Sequence, residues 1–152
     1  MKRVLAIIVL VAMVVFVVAT GYRFSDESIV STVSDDLPSV QLKGQTIRVT
    51  IVDTEPTREQ GLSGRAGLAP DEGMLFIFPE DGKHAIWMKD MLFSIDILWL
   101  SADGKVVYMA QNVSPETYPK IFESNTPARY VVELPAGYAR AREVSLGDIV
   151  RL

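Results

Sequence analysis

Three short apolar runs, Met74–Phe78, His84–Met88 and Ile95–Leu100, most constrain what this chain can fold into. Each is too brief to be a helix with a face to bury. Each is rich in Ile, Phe, Trp and Leu, and each is bounded by Gly, Pro or acidic turn residues, which is the pattern of strands. Isolated charges, such as Asp96 inside Ile95–Leu100, interrupt otherwise apolar segments.

The flanking sequence fits the same architecture. Gln45–Val52 alternates, with Ile47, Val49 and Ile51 on one face and Thr46, Arg48 and Thr50 on the other, as a half-buried strand does. Lys43-Gly44 predicts a hairpin to Ser39–Leu42, and Asp103-Gly104 predicts one into Lys105–Val113. Thr54-Glu55-Pro56 carries the cap and first-turn chemistry of a helix start, and Gly61, Gly64 and Gly67 keep that helix short. Pro79 is expected to stop the strand Met74–Phe78, and Ser114–Pro127 reads as a long loop without periodicity. Arg129–Leu134 reads as a strand, Tyr138–Val144 as a short helical piece, and Ile149–Leu152 as a last strand. The expected fold is mainly β with two short helices (α+β), a compact antiparallel sheet or barrel-like domain over residues 40–152.

Ahead of it, Lys2 and Arg3 precede an apolar run that makes residues 1–21 a membrane anchor or a signal peptide. The run is longer than the roughly 7–15 residues of a signal core and close to the lower limit of about 17 for a span, which favours an anchor across residues 4–20. The Lys-Arg pair stays inside under either reading, so the C-terminal domain lies outside the cytoplasm. It is then either held at the cell membrane by a single pass or, if the segment is cleaved, secreted or periplasmic. Residues 22–39 interleave Asp26, Glu27, Asp35 and Asp36 with several Ser and Thr and read as a flexible acidic tether.

The chain carries 19 acidic against 15 basic side chains, and two of the basic ones precede the apolar run. An acidic domain without a basic patch disfavours nucleic acid as a partner. With no Cys and a single His, there is no disulfide framework, thiol nucleophile or zinc set; no metal and no cofactor are expected.

Asp96 and Glu133 are the sharpest candidates for chemistry, because each carboxylate sits within an apolar strand where a charge needs a partner. Two carboxylates across a cleft would suit a glycoside hydrolase. The structural alternative is that each accepts hydrogen bonds from Arg58, Arg65 or backbone N–H groups and so pins the strands. Arg58 and Arg65 flank the Gly-rich turn and could hold an anionic ligand or one of those internal acids. Trp87 and Lys89 form an amphipathic pair before a loop, suited to stacking on a small molecule or glycan, or else to plugging the core. His84 is expected to be a capping or solvent-facing residue.

Several motifs run in order along the domain: Arg58 with Gly61-Leu62 and Arg65, Gly73-Met74-Leu75-Phe76 with Phe78, Trp87-Met88-Lys89, and Ile95-Asp96-Ile97. They continue as Asp103-Gly104-Lys105-Val106-Val107, Tyr130-Val131-Val132-Glu133-Leu134, Gly137 and Gly147-Asp148. In these the chain resembles domain-of-unknown-function family 192, with Ser63, Asp90-Met91 and Ser94 departing from its usual pattern. The resemblance implies a small β-rich, often exported domain with no established biochemical activity. The expected function is a membrane-tethered extracytoplasmic binding or accessory module of the cell envelope, taking a small molecule, a glycan or an exported protein. The alternative is a cell-envelope carbohydrate hydrolase using Asp96 and Glu133.

Overall fold

A computed structural model describes residues 38–152; the apolar run and the acidic tether up to residue 37 lie outside the described residues. Among the described residues, no helix is long and apolar enough to cross a membrane. The described part is mainly β-sheet with two short helices.

Strands β1 (Ser39–Leu42) and β2 (Gln45–Val52) form the expected hairpin across Lys43 and Gly44, which both have positive φ. That pair of left-handed residues matches the twist of the flanking strands. The β2 alternation holds through Ile47 and Val49, after which Val52 is buried on the other face while Ile51 is 40% exposed. Helix α1 (Glu55–Gln60) follows, capped by Thr54, whose hydroxyl accepts from the Thr57 N–H while the Thr57 hydroxyl accepts from the Thr54 N–H.

From α1 the chain enters β3 (Glu72–Gly82), which lies parallel to β2 with Arg48 opposite Glu72 and Val52 opposite Phe76. The sheet is therefore mixed, with this one parallel pair in an otherwise antiparallel sheet. The stretch from Asp53 to Asp71, with its helix, supplies the crossover a parallel pair requires. Gly73 lets the strands approach, since a Cβ there would lie 2.8 Å from the Glu133 carbonyl oxygen. Nor does Pro79 end the strand: β3 continues to Gly82, with its pairing broken between Ile77 and Gly82, where the missing N–H does least harm.

The remaining strands are β4 (Ile86–Trp87), β5 (Ile95–Leu100), β6 (Val106–Val113), β7 (Ile121–Phe122) and β8 (Ala128–Pro135), followed by helix α2 (Tyr138–Ala141). The main sheet has six strands in the order β1-β2-β3-β8-β5-β6, and β4 pairs with β7 in a separate two-stranded ribbon. The segment read as a structureless loop thus supplies a 3-10 turn (Pro115–Thr117) and β7. The expected last strand is reduced to two isolated bridges, Gln41 to Arg151 and Lys105 to Ile149. These bridges tie the β1 edge to the β5–β6 hairpin and shield both.

The sheet is buried on both sides. Val40, Ile47, Leu75, Leu98, Leu134 and Tyr138 belong to one apolar cluster, and Met74, Phe76, Ile86, Ile97, Trp99 and Val131 to the other. Strand β5, one in from the β6 edge, feeds both, with all six residues buried, so its apolar residues on both faces reflect two-sided burial.

Candidate functional site

Glu133 lies in the middle of the sheet on β8. Its neighbours in register are Met74 on β3 and Ile97 on β5, both in the second cluster, and paired residues share a face. The residue is only 4% exposed, and its Oε2 has no hydrogen-bond partner. Burial among apolar neighbours pushes its carboxyl up to about 8. At neutral pH it is mainly the uncharged acid, with a proton to donate.

Beside it, the end of α1 and strand β4 enclose a cavity of about 390 Å³. Glu133 forms part of its wall together with Phe76, Phe78, Ile86, Trp87 and Met91. The α1 side adds Glu55, Arg58, Glu59 and Gln60. Arg58 is committed to the scaffold. Its Nη1 donates to the carbonyl oxygens of Asp53 and, at 3.0 Å, Ile77, and its guanidinium lies 5.2 Å from the Phe78 ring centroid. His84 stacks on Phe78 with centroids 3.5 Å apart. Its Nε2 is 3.1 Å from the Glu80 carbonyl, and burial pulls its pKa below the usual imidazole range. The β4 wall is fixed from below by Trp99, whose Nε1 donates to the His84 carbonyl at 2.8 Å.

The turn after α1 is fastened to the turn after β4. Ser63 Oγ donates to the Lys89 carbonyl at 2.8 Å, and the Gly64 N–H donates to the Asp90 carbonyl at 2.9 Å. Asp90 holds a positive φ of 57°, which its short polar side chain tolerates. The cavity is thus framed by cross-linked turns on a rigid sheet.

Asp96 is elsewhere. It pairs with Leu134 on β8, one step along the register from the pair formed by Ile97 and Glu133, so its side chain points to the opposite face of the sheet. Asp96 Oδ1 accepts from the N–H groups of Asn112 (2.7 Å) and Gly137 (3.2 Å), and Oδ2 from that of Ala139 (2.8 Å). It joins β6 to the start of α2 and is completely buried. The hydrolase alternative would set the two acids across one cleft, but the sheet separates them; Asp96 is held by backbone N–H groups, and among the described residues neither acid is hydrogen-bonded to Arg58 or Arg65.

Of the candidates read from the sequence, the structure gathers Glu133, Arg58 and Trp87 around one cavity. Lys89 lies in an adjacent groove with Glu59, Gln60 and Asp90, and Arg65 borders a third depression beside Arg48 and Glu72. Trp87 is 42% exposed, so it is a wall of the cavity, while Trp99 is the fully buried indole. Phe76, Phe78 and Met91 are site residues that the sequence did not single out. The signal was Glu133 itself: an acid within a β-run marks whatever its strand neighbours enclose. Among the described residues, no cluster of His, Cys, Asp and Glu could hold a metal.

This arrangement defines a class: a small mixed-sheet domain carrying a side cavity with an uncharged acid in its wall. The chain belongs to domain-of-unknown-function family 192, described as "Uncharacterized ACR", which it matches over residues 39–152. It is similar to UPF0127 proteins of Thermococcus gammatolerans (29% identity over 67% of this chain) and Thermococcus kodakarensis (27% over 68%). The chain spans only 64% and 63% of the length of those relatives. Among solved structures it is similar to a Sinorhizobium meliloti protein described provisionally as a transcription regulator, at 36% identity and TM-score 0.70, covering 74% of this chain and 91% of that one. A Novosphingobium aromaticivorans protein of unknown function shares the fold, at 24% identity and TM-score 0.71 over 75% of this chain and 84% of its own.

Proposed function

We propose that this chain is a small-molecule binding module displayed outside the cytoplasm, with the α1–β4 cavity as its site and residues 4–20 as its membrane tether. The observation that carries the binding reading is the unpartnered, buried Oε2 of Glu133 in the wall of an aromatic-sided cavity. A buried polar atom without a partner costs about 1–3 kcal/mol, and a bound molecule that bonds to it removes that cost. At about 390 Å³ the cavity is in the range for a small ligand, roughly 300–1,000 Å³. The tether reading is supported by the apolar run that follows Lys2 and Arg3.

Glycan chemistry through Asp96 and Glu133 has no such support, since that reaction needs two carboxyl groups flanking the scissile bond in one cleft, roughly 5–10 Å apart, and these two side chains lie on opposite faces of the sheet. An exported-protein partner has Trp87 as its best contact, an exposed aromatic beside the cavity.

Fragment screening by ligand-observed NMR tests the reading on the full chain in a membrane mimetic. Fragments of every charge class are presented to the native protein and to an Ala85→Trp variant, in which an exposed side chain at the cavity is enlarged to obstruct it. Hits lost in the variant support the site. A screen with no hit sensitive to that substitution removes it. For the tether, protease added to spheroplasts is expected to degrade the domain, and protection that persists until the inner membrane is lysed would show the domain to be inside.

A further inference from the structure

We propose that the α1–β4 cavity takes a small organic cation, an ammonium group seated between the aromatic side chains of β3 and β4 and bonded to the carboxylate of Glu133. This rests on the cavity being a ligand site, and it names the ligand's charge.

Three observations converge. First, the wall holds a carboxyl group with an oxygen that nothing in the protein satisfies. A cation is the partner that compensates its ionised form most strongly, by charge pairing in a water-poor setting, with a charge-assisted hydrogen bond added where the ammonium carries N–H. Second, the surrounding wall is aromatic: Phe76 and Trp87 line it, and Phe78 adds its ring edge, since its faces are already covered by His84 and the Arg58 guanidinium. Aromatic faces attract cations through their quadrupole and are the common solution for trimethylated or alkylated ammonium groups. Third, the ionisable groups lining the cavity favour positive charge. Glu55 and Glu59 line its α1 side, while the one cation there, Arg58, is drawn off by two backbone carbonyls and the Phe78 ring. Acidic residues at the entrance raise the local concentration of a cation and repel an anion.

An anionic ligand is the natural competitor, because Arg58 is present and the protonated Glu133 could donate to a carboxylate. Its guanidinium would have to leave the Asp53 and Ile77 carbonyls to form a fork, undoing the tie between α1 and β3. The cation requires no such rearrangement.

Seating a cation that carries no exchangeable proton requires Glu133 to be ionised, so that protons and the ligand compete. The charged groups facing it are Glu55, Glu59 and Arg58 from α1, with none from β3 or β4 in the cavity wall. His84, on the Phe78 ring, is neutral above its lowered pKa. Burial holds the Glu133 carboxyl at about 8. Below that value each unit fall in pH should weaken binding about tenfold, and above it the affinity should level off.

The test uses three matched probes on the full chain: choline, the uncharged alcohol in which tert-butyl replaces trimethylammonium, and the corresponding tert-butyl carboxylate. Binding is read from the Trp87 indole signal by NMR between about pH 6.5 and 9. Choline is expected to bind at least about tenfold more tightly than its uncharged twin, with the stated pH slope. Glu133→Gln should keep the fold, remove most of the preference and flatten the slope. Equal binding of choline and the alcohol, or tighter binding of the carboxylate, overturns the cation while leaving the cavity as a ligand site. Failure of all three probes together with an empty fragment screen overturns both. A preference that persists undiminished in Glu133→Gln also overturns the assignment.

Discussion

Asp96 and Glu133 are both buried acids on adjacent central strands, one register step apart, yet they live opposite lives. Asp96 accepts three backbone N–H bonds and links β6 to α2. Glu133 has apolar neighbours on both flanking strands and an oxygen with no partner. The comparison teaches that burial alone does not distinguish a scaffold residue from a site residue. What does is whether the protein completes the hydrogen bonds. A completed acid holds the fold together, and an incomplete one leaves chemistry for something else.

The contrast is broken most forcefully at Asp96. Asp96→Ala strands three N–H groups at the junction of β6 and α2, each worth about 1–3 kcal/mol, so a loss of roughly 3–9 kcal/mol is expected in urea unfolding followed by Trp fluorescence. A loss below about 1 kcal/mol would mean water replaces those bonds and Asp96 is no keystone.

Next comes pH. Glu133 titrates near 4.5 when unfolded and at about 8 when folded, so across that interval the folded state holds the extra proton. Its contribution to stability is fully present below about 4.5, falls as pH rises through the interval, and is gone above about 8. The full effect is on the order of 5 kcal/mol. Unfolding free energies at pH 5.5 and 8.5, for the native chain and Glu133→Gln, isolate the Glu133 part. An unchanged slope in the variant would assign it elsewhere.

Much of this arrangement was legible in the sequence, and the limits have a physical origin. Within β5, alternation separates Asp96 from Ile97, and within β8 it separates Glu133 from Leu134. What no single strand reveals is the register between them. A slip of one residue would have placed both acids on one face, and that slip is the difference between a hydrolase pair and the observed geometry. The α1 cap was legible because Thr54 and Pro56 are local chemistry. The parallel pairing of β2 with β3 is a tertiary outcome of the crossover. Strands β4 and β7 are two residues each, too short for any period, so the outer wall of the cavity was invisible. Phe76 and Phe78 did not stand out because an aromatic lining a cavity and one filling a core have the same local pattern.

A smaller and opposite effect is expected when Glu133 is replaced rather than titrated. Glu133→Met keeps the length of the side chain and removes the unpartnered oxygen, so stability at pH 7 should rise by about 1–3 kcal/mol. The same change should abolish choline recognition. Gain of stability with loss of binding is the signature of a site that retains strain for function, and a loss of stability would show that Glu133 has a partner after all.

The smallest effect is expected at Trp87, and it sharpens the comparison most finely. The indole is 42% exposed and pairs only with the short β7 strand, so Trp87→Ala should change unfolding free energy by no more than about 0.5 kcal/mol. Trp99, fully buried and bonded to the His84 carbonyl, is the control: Trp99→Ala should cost about 3–5 kcal/mol. If Trp87 is a wall of the cavity, its loss should weaken choline about tenfold or more, through the missing aromatic face, while the pH slope set by Glu133 survives. If affinity and slope both vanish, Trp87 orders the β4 wall and Glu133 no longer meets the ligand. If neither changes, the ammonium sits deeper, against Phe76 and Phe78. Stability, affinity and slope together thus separate the aromatic wall from the acid, as the first comparison separates the acid that binds from the acid that holds.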